Sequence, residues 1–288
     1  MKKVLYIVNP ISGVGKQKIM EKMLVKYNAS HINYKIEYTK YAKHAIELTK
    51  QNCDKYDAIV VVGGDGSVNE VGQELINTNT AFGIIPTGSG NGLARHLKIP
   101  LKIRDAILNI NNFNVVTLDS ASINDTFFIN VAGIGFDALI AHKFAKYGKR
   151  GFSSYIKITS KEFKHFTPKK IDITIDGNKI KDEIFLLSIA NGSQFGNNAY
   201  IAPTASMNDG LLNVTSLKKF PLISAPKLAY KLFTKKIDKL RFSKVYKAKH
   251  IIIEQEGKIL VHIDGEPVTF TDKIEIKIIP NSLKIIAQ

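Results

Sequence analysis

Residues 58–77 constrain the fold more than any other stretch. Ala58 to Val62 is an unbroken apolar run, Gly63-Gly64-Asp65-Gly66 follows at once, and Ser67 to Asn77 then carries helical spacing. An apolar run of that length leading through glycines into a helix is a strand buried on both faces, and such strands belong to parallel sheets covered by helices. Glycines at the junction let the backbone take positive φ and let its N–H groups approach an anion with no Cβ in the way. The helix start adds the positive end of its dipole. A carboxylate inside such a turn would repel a phosphate, so Asp65 calls for either a divalent cation or an orienting hydrogen bond. The turn reads as one that handles a nucleotide together with a metal.

The same alternation runs through residues 1–120. Val4 to Val8, Tyr34 to Tyr38 and Phe82 to Ile85 read as strands, and Lys16 to Asn28 and Ala42 to Asn52 as helices. This describes a doubly wound α/β domain, in which ligands bind where loops leave the carboxyl ends of the strands. Three loops rich in Gly, Ser, Thr and Asn leave such ends: Asn9 to Lys16, Gly63 to Ser67 and Pro86 to Gly92. They are expected to converge on one ligand. The first departs from a Walker A loop, with Pro10 where glycine must stand and Gln17 where Ser or Thr must stand, but its Lys16 can still serve as a point charge toward phosphate. The third offers the hydroxyls of Thr87 and Ser89, three glycines, Asn91 and, one helical turn on, Arg95.

After about Leu118 the period changes to two. Ile171 to Ile175, Ile184 to Ala190, Leu211 to Leu217, Ile251 to Glu254, Lys258 to Ile263 and Lys273 to Ile279 read as strands of an antiparallel β-sandwich spanning 121–277. Helical stretches near 152–166 and 225–236 interrupt it. The net charge of +16 concentrates beside them: nine Lys/Arg against one acid over 141–170, and eleven against one over 216–250. No nucleic-acid signature accompanies the charge. An anionic membrane surface suits it better, because each basic residue near one adds about 1 kcal/mol. The single cysteine, Cys53, excludes an internal disulfide, and no apolar run approaches the roughly 18 residues that a membrane span needs. The expectation is a cytoplasmic protein peripheral to the inner face of the membrane.

The motifs Asn-Pro-x-Ser-Gly at 9–13, Gly-Gly-Asp-Gly-Ser-Val-Asn-Glu at 63–70, Pro-Thr-Gly-Ser-Gly-Asn-x-Leu-Ala-Arg at 86–95, Gly-Ile-Gly-Phe-Asp-Ala at 133–138, Asn208 to Leu212 and Asp264-Gly265-Glu266 follow one another in a telling order. In that order the chain resembles the diacylglycerol kinase catalytic-domain family, bacterial soluble lipid kinases and the sphingosine and ceramide kinases included. The likeness covers essentially the whole chain. It implies an N-terminal nucleotide domain similar to those of NAD kinases and phosphofructokinases, a C-terminal β-sandwich for the lipid, and a last segment, 278–288, returning to the first domain. ATP and Mg²⁺ come with it.

By that resemblance Asn9, Ser12, Gly13, Lys16, Gly63, Gly64, Asp65, Gly66, Ser67, Asn69, Glu70, Thr87, Gly88, Ser89, Asn91 and Arg95 bind ATP, and Asp209 holds a metal. Asp137 and Lys157 face the lipid substrate, with Asp137 alternatively a hydrogen-bonded structural residue. Asp264, Asp65 and Glu266 are the catalytic carboxylates. Two carboxylates compete for the role of general base, since the resemblance to the sphingosine kinase branch implies Asp65; Asp264 is favoured, because the lipid alcohol comes to the strand-rich domain, while Asp65 at a helix start should have a low pKa and suit metal or network duty. On its own, Asp264-Gly265 reads as a hairpin turn. The chain departs from many diacylglycerol kinases at Gly92, where they carry Asp, and its wording there is closer to the sphingosine kinase branch. Two alternatives stand beside a lipid kinase: an NAD kinase-like enzyme and a non-catalytic lipid or nucleotide sensor. Edge strands of the β domain offer a homodimer surface.

Overall fold

The computed structural model describes residues 1–11, 19–147 and 152–287. The chain divides into two compact units, Met1–Ser120 with Pro280–Gln288, and Ala121–Ile279.

The first unit runs β1 (Lys2–Val8), α1 (Met20–Tyr27), β2 (Ile32–Tyr38), α2 (His44–Asn52), β3 (Ala58–Gly63), α3 (Asp65–Leu75), β4 (Ala81–Pro86), α4 (Gly92–His96), α5 (Ile103–Asn112) and the start of β5 (Val115–Ile123). β4, β3, β1 and β2 lie side by side in that order, all parallel. Strand side chains alternate between faces. Val4, Tyr6, Val8, Val60 and Val62 therefore share a core with Met20, Leu24, Ile107 and Ile110, while Leu5, Ile7, Ile59 and Val61 are equally buried on the other side. Burial on both faces explains the unbroken apolar runs. It also leaves the carboxyl ends of β1, β3 and β4, each followed by a polar loop, as the places where chemistry can sit.

The second unit continues β5 into β6 (Thr126–Phe128), β7 (Val131–Gly135), α6 (Phe136–Lys146), α7 (Phe152–Phe163), β8 (Lys169–Ile175), β9 (Asn178–Ile184), β10 (Leu186–Ala190), β11 (Leu212–Leu217), α8 (Ala225–Phe233), β12 (Ser243–Ala248), β13 (His250–Ile263) and β14 (Glu266–Ile286). All its pairings are antiparallel. β13 is irregular between Glu254 and Lys258; before that point it pairs with β8, after it with β7, and β14 accompanies it on both sides. Such a bulge lets one strand serve two layers. Ile173, Ile251 and Ile274 thus meet Ile134, Ile189 and Val214 in one core, the filling of a β-sandwich. A second core joins β7, β10 and β11 to α6, α7 and α8. At its centre the rings of Phe136 and Phe185 stack 4.7 Å apart.

Two expectations change. The strands at 251–254 and 258–263 are one strand, and that expected at 273–279 is the middle of a strand of 21 residues. Asp137 does not end a strand: Gly135, at φ 93°, turns the chain out of β7, and Asp137 lies in the first turn of α6. The helix expected over Lys16 to Asn28 is described from Met20, and its expected start lies outside the described residues. The tail of β14 belongs to the first unit, where Ile285 pairs in parallel with Phe82 of β4 and Ser282 Oγ lies 2.7 Å from Ser120 Oγ. No described helix is long and apolar enough to cross a membrane.

Candidate functional site

The loops after β3 and β4 are bound to each other through Asp65. Its Oδ2 accepts the Asn91 N–H at 2.8 Å and its Oδ1 the Gly92 N–H at 2.7 Å. The Thr87 N–H donates to the Gly63 carbonyl at 2.8 Å, and Arg95 Nε returns to the Gly90 carbonyl at 3.0 Å. The loop after β1 joins them where Asn9 Nδ2 donates to Ser67 Oγ at 2.9 Å. Of the two duties open to Asp65, the orienting hydrogen bond is the one observed.

The glycines act differently from the sequence expectation. Gly63, Gly64, Gly88 and Gly90 are absent from the left-handed region of backbone space, where Asn91 instead sits at φ 51°. They are glycines because the loops pack too closely for a Cβ, backbone against backbone at Gly64 and Gly88 and backbone against side chain at Gly63 and Gly90. A Cβ on Gly88 would stand 2.6 Å from the Gly64 Cα, one on Gly90 2.7 Å from Asp65 Oδ2, and one on Gly63 2.6 Å from the Ser67 Cβ. Helix α3 starts at Asp65 itself, so the N–H groups of its first turn, Gly66 and Ser67 among them, lack intrahelical acceptors by construction. A helix start of this kind can take an anion, with Thr87 buried and Ser89 exposed on the neighbouring loop.

The expected low pKa of Asp65 is corrected. Burial raises its carboxyl above the ordinary value, outweighing the N–H groups of Gly92 and Asn91 and the Arg95 charge that pull it down. Removal from water wins here over the helix end.

In the second unit, Asp264 and Gly265 form the two-residue turn between β13 and β14, with φ of 50° and 91°. Both values are positive, as a type I′ hairpin requires. The Asp264 carboxylate reaches back to the turn before β7: Oδ1 accepts the Asn130 and Val131 N–H groups at 2.9 and 2.8 Å, and Oδ2 the Ile129 N–H at 3.0 Å. Asp264 is therefore an anchor, whatever else it does. Although part of the residue reaches the surface, burial of its carboxyl raises the pKa above the ordinary value against those three bonds and the nearby His262. Glu266 lies exposed at the start of β14.

Two residues before Asp264, near the end of β13, His262 is 4% exposed. Its Nε2 lies 3.2 Å from Asp137 Oδ2, and Asp137 Oδ1 accepts the Ala138 N–H at 2.8 Å. Asp137 is thus buried and hydrogen-bonded, as the structural of its two roles requires. Sequence reasoning gave His262 no part, since its partner Asp137 lies 125 positions away. Gly133 makes room for the pair, since a Cβ there would overlap both Asp137 Oδ2 and His262 Nε2. Gly133→Ala is expected to destabilise the protein by about 2 kcal/mol, from overpacking plus a strained polar pair, read as a lower midpoint of urea unfolding. An unchanged midpoint would mean that the pair gives way freely.

Other expected residues are dispersed. Asn69 accepts from Gln73 Nε2 at 2.8 Å and Glu70 from the Lys43 N–H at 3.3 Å, both on α3. Lys157 is exposed on α7. Ser12, Gly13 and Lys16 lie outside the described residues. Asp209, expected to hold a metal together with neighbouring backbone carbonyls, is exposed, with Lys247 Nζ donating to its Oδ2 at 2.9 Å and the Leu211 N–H to its Oδ1 at 3.1 Å. Among the described residues no three His, Cys, Asp or Glu side chains converge as a metal cage.

A family model of the diacylglycerol kinase catalytic domain matches residues 3–123, and one of the YegS C-terminal NAD kinase beta sandwich-like domain matches 130–287. The diacylglycerol kinase of Bacillus subtilis is 27% identical over 277 residues, 92% of this chain and 90% of that protein. The crystal structure of a diacylglycerol kinase from Bacillus anthracis superimposes with a TM-score of 0.79 at 26% identity, covering 100% of this chain and 97% of that one. An NAD kinase from Archaeoglobus fulgidus, solved with ATP, has a TM-score of 0.54 at 16% identity over 98% of this chain and 93% of its own, a likeness of fold alone.

Proposed function

Since the chain belongs to the diacylglycerol kinase family of lipid kinases, with that family's catalytic domain followed by its C-terminal sandwich, we propose that it transfers the γ-phosphoryl group of ATP to a hydroxyl of a membrane lipid, diacylglycerol or a sphingoid-type alcohol. The observation that carries this reading is the set of loops after β1, β3 and β4, tied to one another by Asn9, Asp65 and Thr87 at the carboxyl ends of parallel strands.

Phosphoryl transfer demands positioning and charge neutralisation more than covalent chemistry. The α3 start and the Thr87 to Arg95 loop hold the phosphates through backbone N–H groups, hydroxyls and the Arg95 charge. Asp65 fixes the distance between these two donor sets, so it is a positioning residue. The acceptor oxygen attacks the γ-phosphorus, the bond to the β–γ bridging oxygen breaks, and ADP leaves with that electron pair. The alcohol proton goes to Asp264 Oδ2, which accepts one backbone N–H and keeps a lone pair, and whose raised pKa brings it toward a working base. Mg²⁺ enters as the nucleotide's own counter-ion, and no step here runs through a metal held by the chain.

The test is incubation of the purified protein with MgATP and separate mixed micelles of diacylglycerol, sphinganine, ceramide and phosphatidylglycerol, with NAD as a further acceptor, followed by mass detection of product. A phosphorylated lipid is the expected result and names the acceptor. Product from NAD alone would overturn the lipid reading, and no product from any acceptor would favour a sensor.

A further inference from the structure

No residue of α8 is buried. Its inner stripe, Ala225, Leu228 and Leu232, is only partly covered where it leans on the core beneath. Its outer stripe faces solvent: Tyr230 is 59% and Phe233 46% exposed, and in the short turn that leads into the helix Leu222 is 47% and Ile223 89% exposed. Positions 223, 227, 230 and 233 recur at three- and four-residue steps, so the apolar side chains and Lys227 share one helical face. Lone exposed apolar residues need no explanation, but a contiguous row of an isoleucine, a tyrosine and a phenylalanine marks an interaction surface.

The charge around this row identifies the partner. Over 216–250 only Asp238 opposes eleven basic residues. Among the described residues, Lys227, Lys231, Lys236 and Lys239 ion-pair with no carboxylate. A protein partner would need an acidic face of matching outline. A bilayer with anionic lipids supplies a continuous negative plane and an apolar layer directly beneath it. Lysines can then lie along that plane with their stems over the apolar row, and tyrosine suits the boundary between the two.

We propose that the turn at Leu222–Ser224 and the outer face of α8 form the surface by which this protein docks on anionic membranes, with Ile223, Tyr230 and Phe233 entering the interface and the lysines around them held by lipid headgroups. The proposal goes beyond the kinase reading, because it concerns binding without nucleotide or turnover. It also narrows the broader charge expectation to one element of the second unit.

The experiment is co-sedimentation of the whole protein, without ATP, with vesicles of phosphatidylcholine alone and of phosphatidylcholine mixed with phosphatidylglycerol, at low and high salt. The wild type is expected to pellet with the anionic vesicles, to release at high salt as the charges are screened, and to stay in the supernatant when the vesicles are neutral. Ile223→Ser combined with Phe233→Ser is expected to raise the lipid concentration for half-binding about tenfold or more, given what burying such side chains contributes, with an unchanged circular dichroism spectrum. Lys227→Glu combined with Lys231→Glu should act similarly through the charge. Equal binding by the wild type and both variants, or equal binding to neutral vesicles, would overturn the proposal. So would a wild-type dimer in solution that the Ile223→Ser, Phe233→Ser variant converts to monomer, since the row would then face a second copy. Because binding is read without turnover, failure here leaves the kinase reading untouched, and the reverse holds.

Discussion

Asp65→Ala is expected to lower kcat/KM by about a hundredfold or more, chiefly by raising the KM for ATP. Each charged hydrogen bond is worth about 1.5–3 kcal/mol, and Asp65 makes two, to the Asn91 and Gly92 N–H groups. Relief from burying the carboxyl offsets part of that loss, because its raised pKa shows that ionisation there is costly. A net 2.7 kcal/mol would correspond to about a hundredfold. With the tie gone, the loop after β4 is freed from the start of α3, and the two donor sets no longer hold a fixed separation. Asp65→Asn keeps one acceptor and should fall between. Steady-state kinetics with ATP varied decides the matter: a loss confined to kcat with KM unchanged would make Asp65 a participant in the chemistry.

The second large effect is at Asp264. Alanine there leaves the N–H groups of Ile129, Asn130 and Val131 without their acceptor, and unsatisfied buried donors cost about 1–3 kcal/mol each. A loss of about 3 kcal/mol or more is expected, seen as a melting temperature lower by roughly 6–12 °C for a chain of this size. Asp264→Asn separates anchor from base. The amide oxygen can still take Asn130 and Val131, so much of the stability returns, while activity per folded molecule falls by about 10²–10⁴ if the proton goes to this carboxylate. The sign of the pH dependence follows. The base works ionised and its folded pKa is raised, so activity falls as pH drops through a value above that of ordinary aspartate, and this acid limb disappears in the Asn variant. Glu266→Gln, at an exposed position, is expected to stay within tenfold of wild type. A larger loss there, with Asp264→Asn active, would transfer the role of base to Glu266.

What the sequence shows clearly is what local patterns determine. Val4 to Val8 and Ala58 to Val62 declare themselves because both faces of a parallel strand are buried. Asp176-Gly177 and Asp264-Gly265 do so because their turn type admits few residues. The start of α6 was hidden, since Phe136 to Ile140 is apolar enough to pass for a strand, and only the φ of Gly135 switches it. The site residues divide in the same way. The glycine loops are visible as motifs, yet their reason, contact between Gly64 and Gly88, lies between residues far apart in sequence. The partners of Asp264 stand 133–135 positions away and that of Asp137 125 away. No periodicity reports such a pairing. The pKa of Asp65 was misjudged because a helix end is visible in sequence and the depth of burial is not.

The tail of β14 bears on how the protein comes into being. Pro280–Gln288 is made after the whole of the second unit, yet it belongs to the first, with Ile285 beside Phe82 of β4, the Asn281 N–H on Asp119 Oδ1 and Ser282 against Ser120. During synthesis the first unit must therefore wait on the ribosome with β4 lacking its neighbour, an open edge of the kind on which chains aggregate. Nascent-chain maturation runs from the last residues back to the first sheet, and fragments ending near residue 120 should need a solubilising partner, however complete their nucleotide motifs look.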